Sequence, residues 1–170
     1  MQLRPEDDTS DNEFAAILKY GDLGVKDVHR LRIEKKGIPG DLALEQYSGV
    51  IVGGSPFDIS TPEQDKSEIQ KKIEQDFNRL FDVIVPNDIA FLGACSGNGL
   101  LGSYLGTSIS TRYSEAVGCV KLDITDAGKC DPLLSGFPNT ITVLLGHKSI
   151  YLICRTFLTR PVKGSIHHKG

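Results

Sequence analysis

The chain has 170 residues, 39% of them apolar, enough for one sizeable core and the length of one ordinary domain. Its 19 bases and 22 acids leave a net charge of −3, which argues against a nucleic-acid-binding surface, and no apolar run is long enough to span a bilayer. Cys95, Cys119, Cys130 and Cys154 stand far apart with no C-x-x-C pair, which argues against zinc ribbons and thioredoxin-type redox motifs and suits a reducing cytoplasm.

Met1-Gln2-Leu3-Arg4-Pro5-Glu6 has no apolar stretch of the kind a secretory signal needs. An alternating α/β chain opens with a buried strand, but only Met1-Gln2-Leu3 precede the Arg4-Pro5 turn, so that strand is expected to be a stump. Ser10-Asp11-Asn12-Glu13 reads as a capping box. Phe14, Ile17 and Leu18 follow at helical spacing and Gly21 supplies a stop, which predicts a helix over 11–20. Val28 to Ile33 carries His29, Arg30 and Arg32 and is expected as a polar edge strand, with His29 on the surface.

Val50-Ile51-Val52 is a short unbroken apolar run, as expected of a strand buried on both faces. It ends in Gly53-Gly54-Ser55-Pro56, a backbone able to turn sharply and offer its amides. Thr61-Pro62-Glu63-Gln64 is expected to start a helix over 62–84, with Pro62 at its first position. The stripe of that helix is Ile69, Ile73, Phe77, Leu80, Phe81 and Ile84. Ile89 to Ala94 reads as a second buried strand, leading into a helix that ends near Leu105. Val117 to Ile124, Ile141 to Leu145 and Ile150 to Leu158 are further strand candidates. Strands alternating with helices predict a parallel sheet covered on both faces.

The chemistry concentrates at one strand end. Phe91-Leu92-Gly93-Ala94-Cys95-Ser96-Gly97 has the form strand, G-x-C-x-G, helix, the nucleophile-elbow arrangement with cysteine as the nucleophile. A nucleophile on so sharp a turn needs small neighbours, and Gly93, Ala94, Ser96 and Gly97 provide them. The following helix points its amino terminus at the sulfur, which favours thiolate, and the Ser96 amide is placed to receive an oxyanion. The plain alternative is a buried structural cysteine. Gly97-Asn98-Gly99-Leu100-Leu101-Gly102 also spells G-x-G-x-x-G after a strand. It falls late in the chain, however, and Glu115 precedes its strand where a ribose-binding acid would have to end one. No set of His, Cys, Asp and Glu has metal-ligand spacing, so neither metal nor cofactor is expected. Asp123, Asp126 and Asp131 read as loop polarity.

Four segments together resemble the ordered landmarks of class I glutamine amidotransferases: Ile51-Val52-Gly53-Gly54-Ser55-Pro56, Phe91 to Gly99, Ser114-Glu115-Ala116-Val117-Gly118, and Gly146-His147-Lys148. Leu3-Arg4-Pro5-Glu6-Asp7 with Asp11-Asn12-Glu13 is similar to a bacterial stand-alone branch of that family. The resemblance covers about residues 3–149. It implies a flavodoxin-like three-layer sandwich with a mostly parallel central sheet, its first strand and C-terminal part incomplete. The implied activity is hydrolysis of the glutamine side-chain amide, with the ammonia released or passed to a synthetase partner. Cys95 matches the nucleophile that forms the glutamyl thioester. Gly54, Ser55 and Ser96 match the positions that lend amides to the oxyanion. His147 matches a histidine beside the glutamine pocket that is not the general base.

The pattern breaks after residue 149. The family's base and its orienting acid belong to an F-H-P-E-like segment, and here residues 150–170 form an atypical basic tail. All 22 acids lie at or before Asp131, while Lys148, Arg155, Arg160, Lys163 and Lys169 follow it. His167 and His168 have no acid after them, so the tail reads as frameshifted, clipped or a natural end of another kind. The position four after Cys95 is Gly99 where the wider family often has Gln, which weakens the usual glutamine contact. Two other readings share the fold: a DJ-1/PfpI-like cysteine hydrolase and a non-catalytic α/β binding domain. The first expects a histidine soon after the elbow, and none lies between Cys95 and His147. The absent His/Glu pair favours the second directly.

Overall fold

The computed structural model describes residues 1–110, 115–147 and 150–151. Two units divide the chain, Met1–Thr107 and Ser108–Gly170.

In the first unit, helix α1 (Asp7–Tyr20) starts ahead of its predicted capping box. Ser10 is not a cap but a fully buried helical residue. Its carbonyl accepts from Gln2 Nε2 at 2.6 Å and its hydroxyl from Arg30 Nη2 at 3.1 Å. Tertiary hydrogen bonds have claimed the side chain that the local pattern assigned to the helix end. Asp7 and Asp8 sit in the first turn, where negative charge meets the positive end of the helix.

The edge strand expected over Val28–Ile33 reduces to one parallel bridge between Arg32 and Gln2, followed by the short helix α2 (Ile33–Lys36). Gln2 N donates to Leu31 O at 2.8 Å and Ile33 N to Gln2 O at 3.0 Å. On the other side, the Met1 nitrogen donates to Ile51 O at 2.7 Å and Gly53 N to Met1 O at 3.2 Å. The stump thus occupies a strand's place, hydrogen-bonded along both edges. Arg30 and Arg32 are not idle surface charges. Arg30 Nε donates to Gln2 Oε1 at 2.6 Å, and Arg32 Nη2 to the Arg4 carbonyl at 2.9 Å.

Strand β1 (Val50–Val52) pairs in parallel with β2 (Phe91–Gly93), placing Val50 opposite Phe91, Ile51 opposite Leu92 and Val52 opposite Gly93. Val50 and Val52 are buried with Leu3, Ile33 and the apolar face of helix α3 (Glu68–Ile84). Phe91 meets Phe81 edge-on, with ring centroids 5.2 Å apart. The opposite face differs from expectation: Leu92 is 61% exposed, so β2 is not buried on both sides.

Helix α3 carries the predicted stripe from Ile73 to Ile84, but its start moves. Ser67 is the cap, its hydroxyl accepting from Gln70 N at 3.2 Å, while Glu63–Asp65 forms a separate 3₁₀ turn. Ile69 is exposed and Gln70 takes the buried first-turn position, its amide donating to Asp58 O at 2.9 Å. Asp76, also buried, accepts from Ile38 N at 3.1 Å and from Arg79, fastening α3 to the loop after α2. Helix α4 (Ser96–Tyr104) leaves β2 directly.

The second unit holds β3 (Ile109–Ser110), paired antiparallel with β6 (Ile150–Tyr151), and the longer antiparallel pair β4 (Glu115–Asp123) with β5 (Thr140–His147). Gly118 opposes Leu145 and Asp123 opposes Thr140, with a bulge between Glu115 and Gly118. Helix α5 (Asp126–Lys129) lies in the connection, capped by the Thr125 hydroxyl. Asp131, expected as loose loop polarity, accepts from Leu133 N at 2.8 Å and caps a short 3₁₀ turn.

Among the described residues the sheets are two-stranded, one parallel and two antiparallel, so the chain is a mixed α/β protein with small sheets. No helix among them is long and apolar enough to cross a membrane. Ser114, Lys148, Cys154, His167, His168 and the tail 152–170 lie outside the described residues.

Candidate active site at the strand–helix turn

The turn from β2 to α4 is as tight as its glycines suggest. A Cβ on Gly93 would stand 2.5 Å from the Gly97 carbonyl carbon and 2.6 Å from Asn98 N. One on Gly97 would stand 2.8 Å from both the Val52 Cβ and the Val52 carbonyl oxygen. Both glycines are required because the first turn of α4 crosses directly over the ends of β1 and β2. Ala94 N donates to Val52 O at 2.8 Å, the last ladder bond before the chain reverses.

Cys95 sits at the reversal with φ 52° and ψ −106°, backbone that a side chain rarely adopts. Non-glycine residues in such regions carry strain of about 1–3 kcal/mol and persist only where the surroundings impose them. Its side chain is exposed. Strain, exposure and the helix behind it are what an elbow nucleophile requires, and a buried structural cysteine has none of them. Cys95→Gly is therefore expected to raise stability by about 1 kcal/mol over Cys95→Ala, because glycine relieves the positive φ. Thermal denaturation of the two variants checks this, and a less stable glycine variant would mean that residue 95 carries no such strain.

Ser96 opens α4, so its N–H is among the first amides of the helix, which have no partner within it. The Ser96 hydroxyl is buried and ties the two loops together, accepting from Ser55 N at 3.0 Å and from Ser55 Oγ at 2.8 Å. Gly54 N donates to Glu13 Oε1 at 3.2 Å. Each of these two loop amides thus already has a side-chain acceptor. Glu13 reaches this place from α1 and is mostly shielded, with Arg4 Nε donating to Oε1 at 3.2 Å and Gln2 Nε2 to Oε2 at 3.0 Å. A Cβ on Gly53 would fall 2.4 Å from Glu13 Oε1, so that carboxylate fills the space the glycine leaves.

Sequence reasoning missed Arg4, Gln2 and Glu13. Glu13 reads as half of a capping box and, with Arg4, as part of the family likeness, but nothing in the linear pattern ties it to a glycine turn 41 residues away. The structure gathers Gly54, Ser55, Cys95 and Ser96 within the first unit. His147 closes β5 opposite Glu115 in the second unit. His29, predicted to be a solvated surface residue, is exposed and stacks on Tyr47 with ring centroids 5.7 Å apart. Gly99 donates its amide to Cys95 O at 3.0 Å within α4.

No family model matches the chain, and no curated protein matches it. Solved structures do. The protein SMU.1228c is 18% identical, with a TM-score of 0.66 over 91% of this chain and 62% of its own. A glutamine amidotransferase from Thermotoga maritima is 21% identical, with a TM-score of 0.63 over 91% of this chain and 62% of its own. A putative GMP synthase subunit from Thermoplasma acidophilum is 16% identical, with a TM-score of 0.52 over 89% and 67%. The chain spans about three fifths of the length of the first two. At such identities the likeness is one of fold, and the fold is that of the glutamine amidotransferase-type proteins.

Proposed function

We propose that the chain is a class I glutamine amidotransferase-like protein in which Cys95 attacks the side-chain amide of glutamine. The observation that carries this reading is the strained, exposed Cys95 at the strand–helix turn. In the reaction the thiolate adds to the amide carbon and the carbon–nitrogen bond breaks. The nitrogen leaves, protonated, as ammonia, and a glutamyl thioester remains. Water then cleaves the thioester to glutamate and restores the thiol. The tetrahedral oxyanion needs preorganised donors. In this reading Ser96 supplies its free helix-start amide, and Gly54 and Ser55 supply theirs as the oxyanion displaces Glu13 Oε1 and the Ser96 hydroxyl. The ammonia goes to a synthetase partner, a division of labour that the likeness to a GMP synthase component supports. A flavodoxin-like sandwich and a cytoplasmic setting belong to the same proposal.

The test is alkylation with a diazoketone analogue of glutamine under native conditions. Cys95 is expected to react ahead of Cys119 and Cys130, which are also exposed and so serve as internal controls. Glutamine should protect it. Labelling of Cys119 or Cys130 at the same rate, or no protection, would defeat the assignment.

A further inference from the structure

We infer that Arg4, held by Glu13, is the site that takes the α-carboxylate of the amino-acid substrate beside Cys95; this deepens the glutamine reading and rests on it. The residue is held at both its side chain and its backbone. Its Nε donates to Glu13 Oε1 at 3.2 Å, and the residue's own carbonyl is held by Arg32 Nη2 at 2.9 Å. Glu13 is anchored in turn by Gln2 and by the Gly54 amide. Among the described residues Arg4 makes that single side-chain hydrogen bond, which leaves its Nη groups uncommitted.

The position of those groups is the second observation. Arg4 Nη2 lies 2.8 Å from the point where a Cβ on Gly54 would stand, and the Cys95 Cβ lies 3.6 Å from the same point. A cation with free donors and the nucleophilic cysteine therefore flank one small space, kept open because residue 54 is glycine. A guanidinium fork binds a carboxylate through two parallel N–H bonds, which fixes orientation as well as charge. The carboxylate of glutamine is joined to its side-chain amide carbon by a short carbon chain, a reach suited to so short a gap. As a plain ion pair, Arg4–Glu13, with side chains 33% and 16% exposed, would contribute little. Nor would that role require Nη2 to lie against Gly54.

The experiment compares two reagents on Cys95 of the full chain: the diazoketone analogue of glutamine, which carries the α-carboxylate, and neutral iodoacetamide. The ratio of the two rates cancels any change in thiol reactivity and reads recognition of the carboxylate. Arg4→Gln is expected to lower that ratio about ten- to hundredfold, the value of a charged hydrogen bond, and Arg4→Lys to restore part of it. Should Arg4→Gln fail to fold, the native chain is tested with the diazoketone lacking its carboxylate, which should lose the same factor. An unchanged ratio in Arg4→Gln, or equal rates with and without the carboxylate, overturns the inference. If native Cys95 shows no preference for the glutamine analogue over iodoacetamide relative to free cysteine, the glutamine reading itself has failed.

Discussion

Steady release of ammonia from glutamine by the 170-residue chain is expected to fall at least about a hundredfold below that of the same chain extended by an F-H-P-E-like segment. General acid–base assistance contributes about 10²–10⁴-fold, and this chain has no acid beyond Asp131 to orient a histidine in its tail. What the first unit does hold is the strained cysteine, the helix start behind it and the loop amides around it. Those groups are expected to support one slow acylation and not repeated turnover, because the thiol must lose a proton and the departing nitrogen must gain one. Ammonia assay of the native chain, the extended chain and Cys95→Ala separates the cases. Robust Cys95-dependent release from the 170-residue chain would mean that His147, His167 or His168 acts without a carboxylate partner, or that a partner chain supplies the missing group.

Gly93→Ala is expected to cost about 3 kcal/mol, the upper end of what overpacking a tight site usually costs. The added carbon would be 2.5 Å from backbone, not from a side chain that could swing aside. Relief would require α4 to move off β2, and with it Gly97 from its contact with Val52. Since small domains are stable by only about 5–15 kcal/mol, the loss should appear plainly in denaturant unfolding. Gly136→Ala is the control for a glycine with open space around it, although its φ of 87° adds some strain of its own. If Gly93→Ala unfolds no more easily than Gly136→Ala, the close crossing of strand and helix is not a stability determinant.

The legible parts of the sequence were those governed by neighbours along the chain. Val50-Ile51-Val52 forms a strand, the stripe from Ile73 to Ile84 forms the buried face of α3, and the glycines around Cys95 form the turn. Each depends on local periodicity or on backbone that only small residues allow. Helix starts were less legible, because Ser10 and Thr61 look like caps, whereas long-range hydrogen bonds draw Ser10 into the core and Ser67 takes the cap of α3.

Burial and the supporting charges were decided by tertiary structure alone. Leu92 reads as core and is exposed, while Gln2 and Asp76, both polar, are buried because partners satisfy them. The sequence by itself determined that a cysteine would stand on a strained turn between a strand and a helix. Only the folded chain decided that Arg4 and Glu13 stand beside it, since bringing them to Gly54 takes the stump strand's hydrogen bonds to Leu31 on one side and Ile51 on the other. Such pairing between distant segments leaves no periodic trace in either.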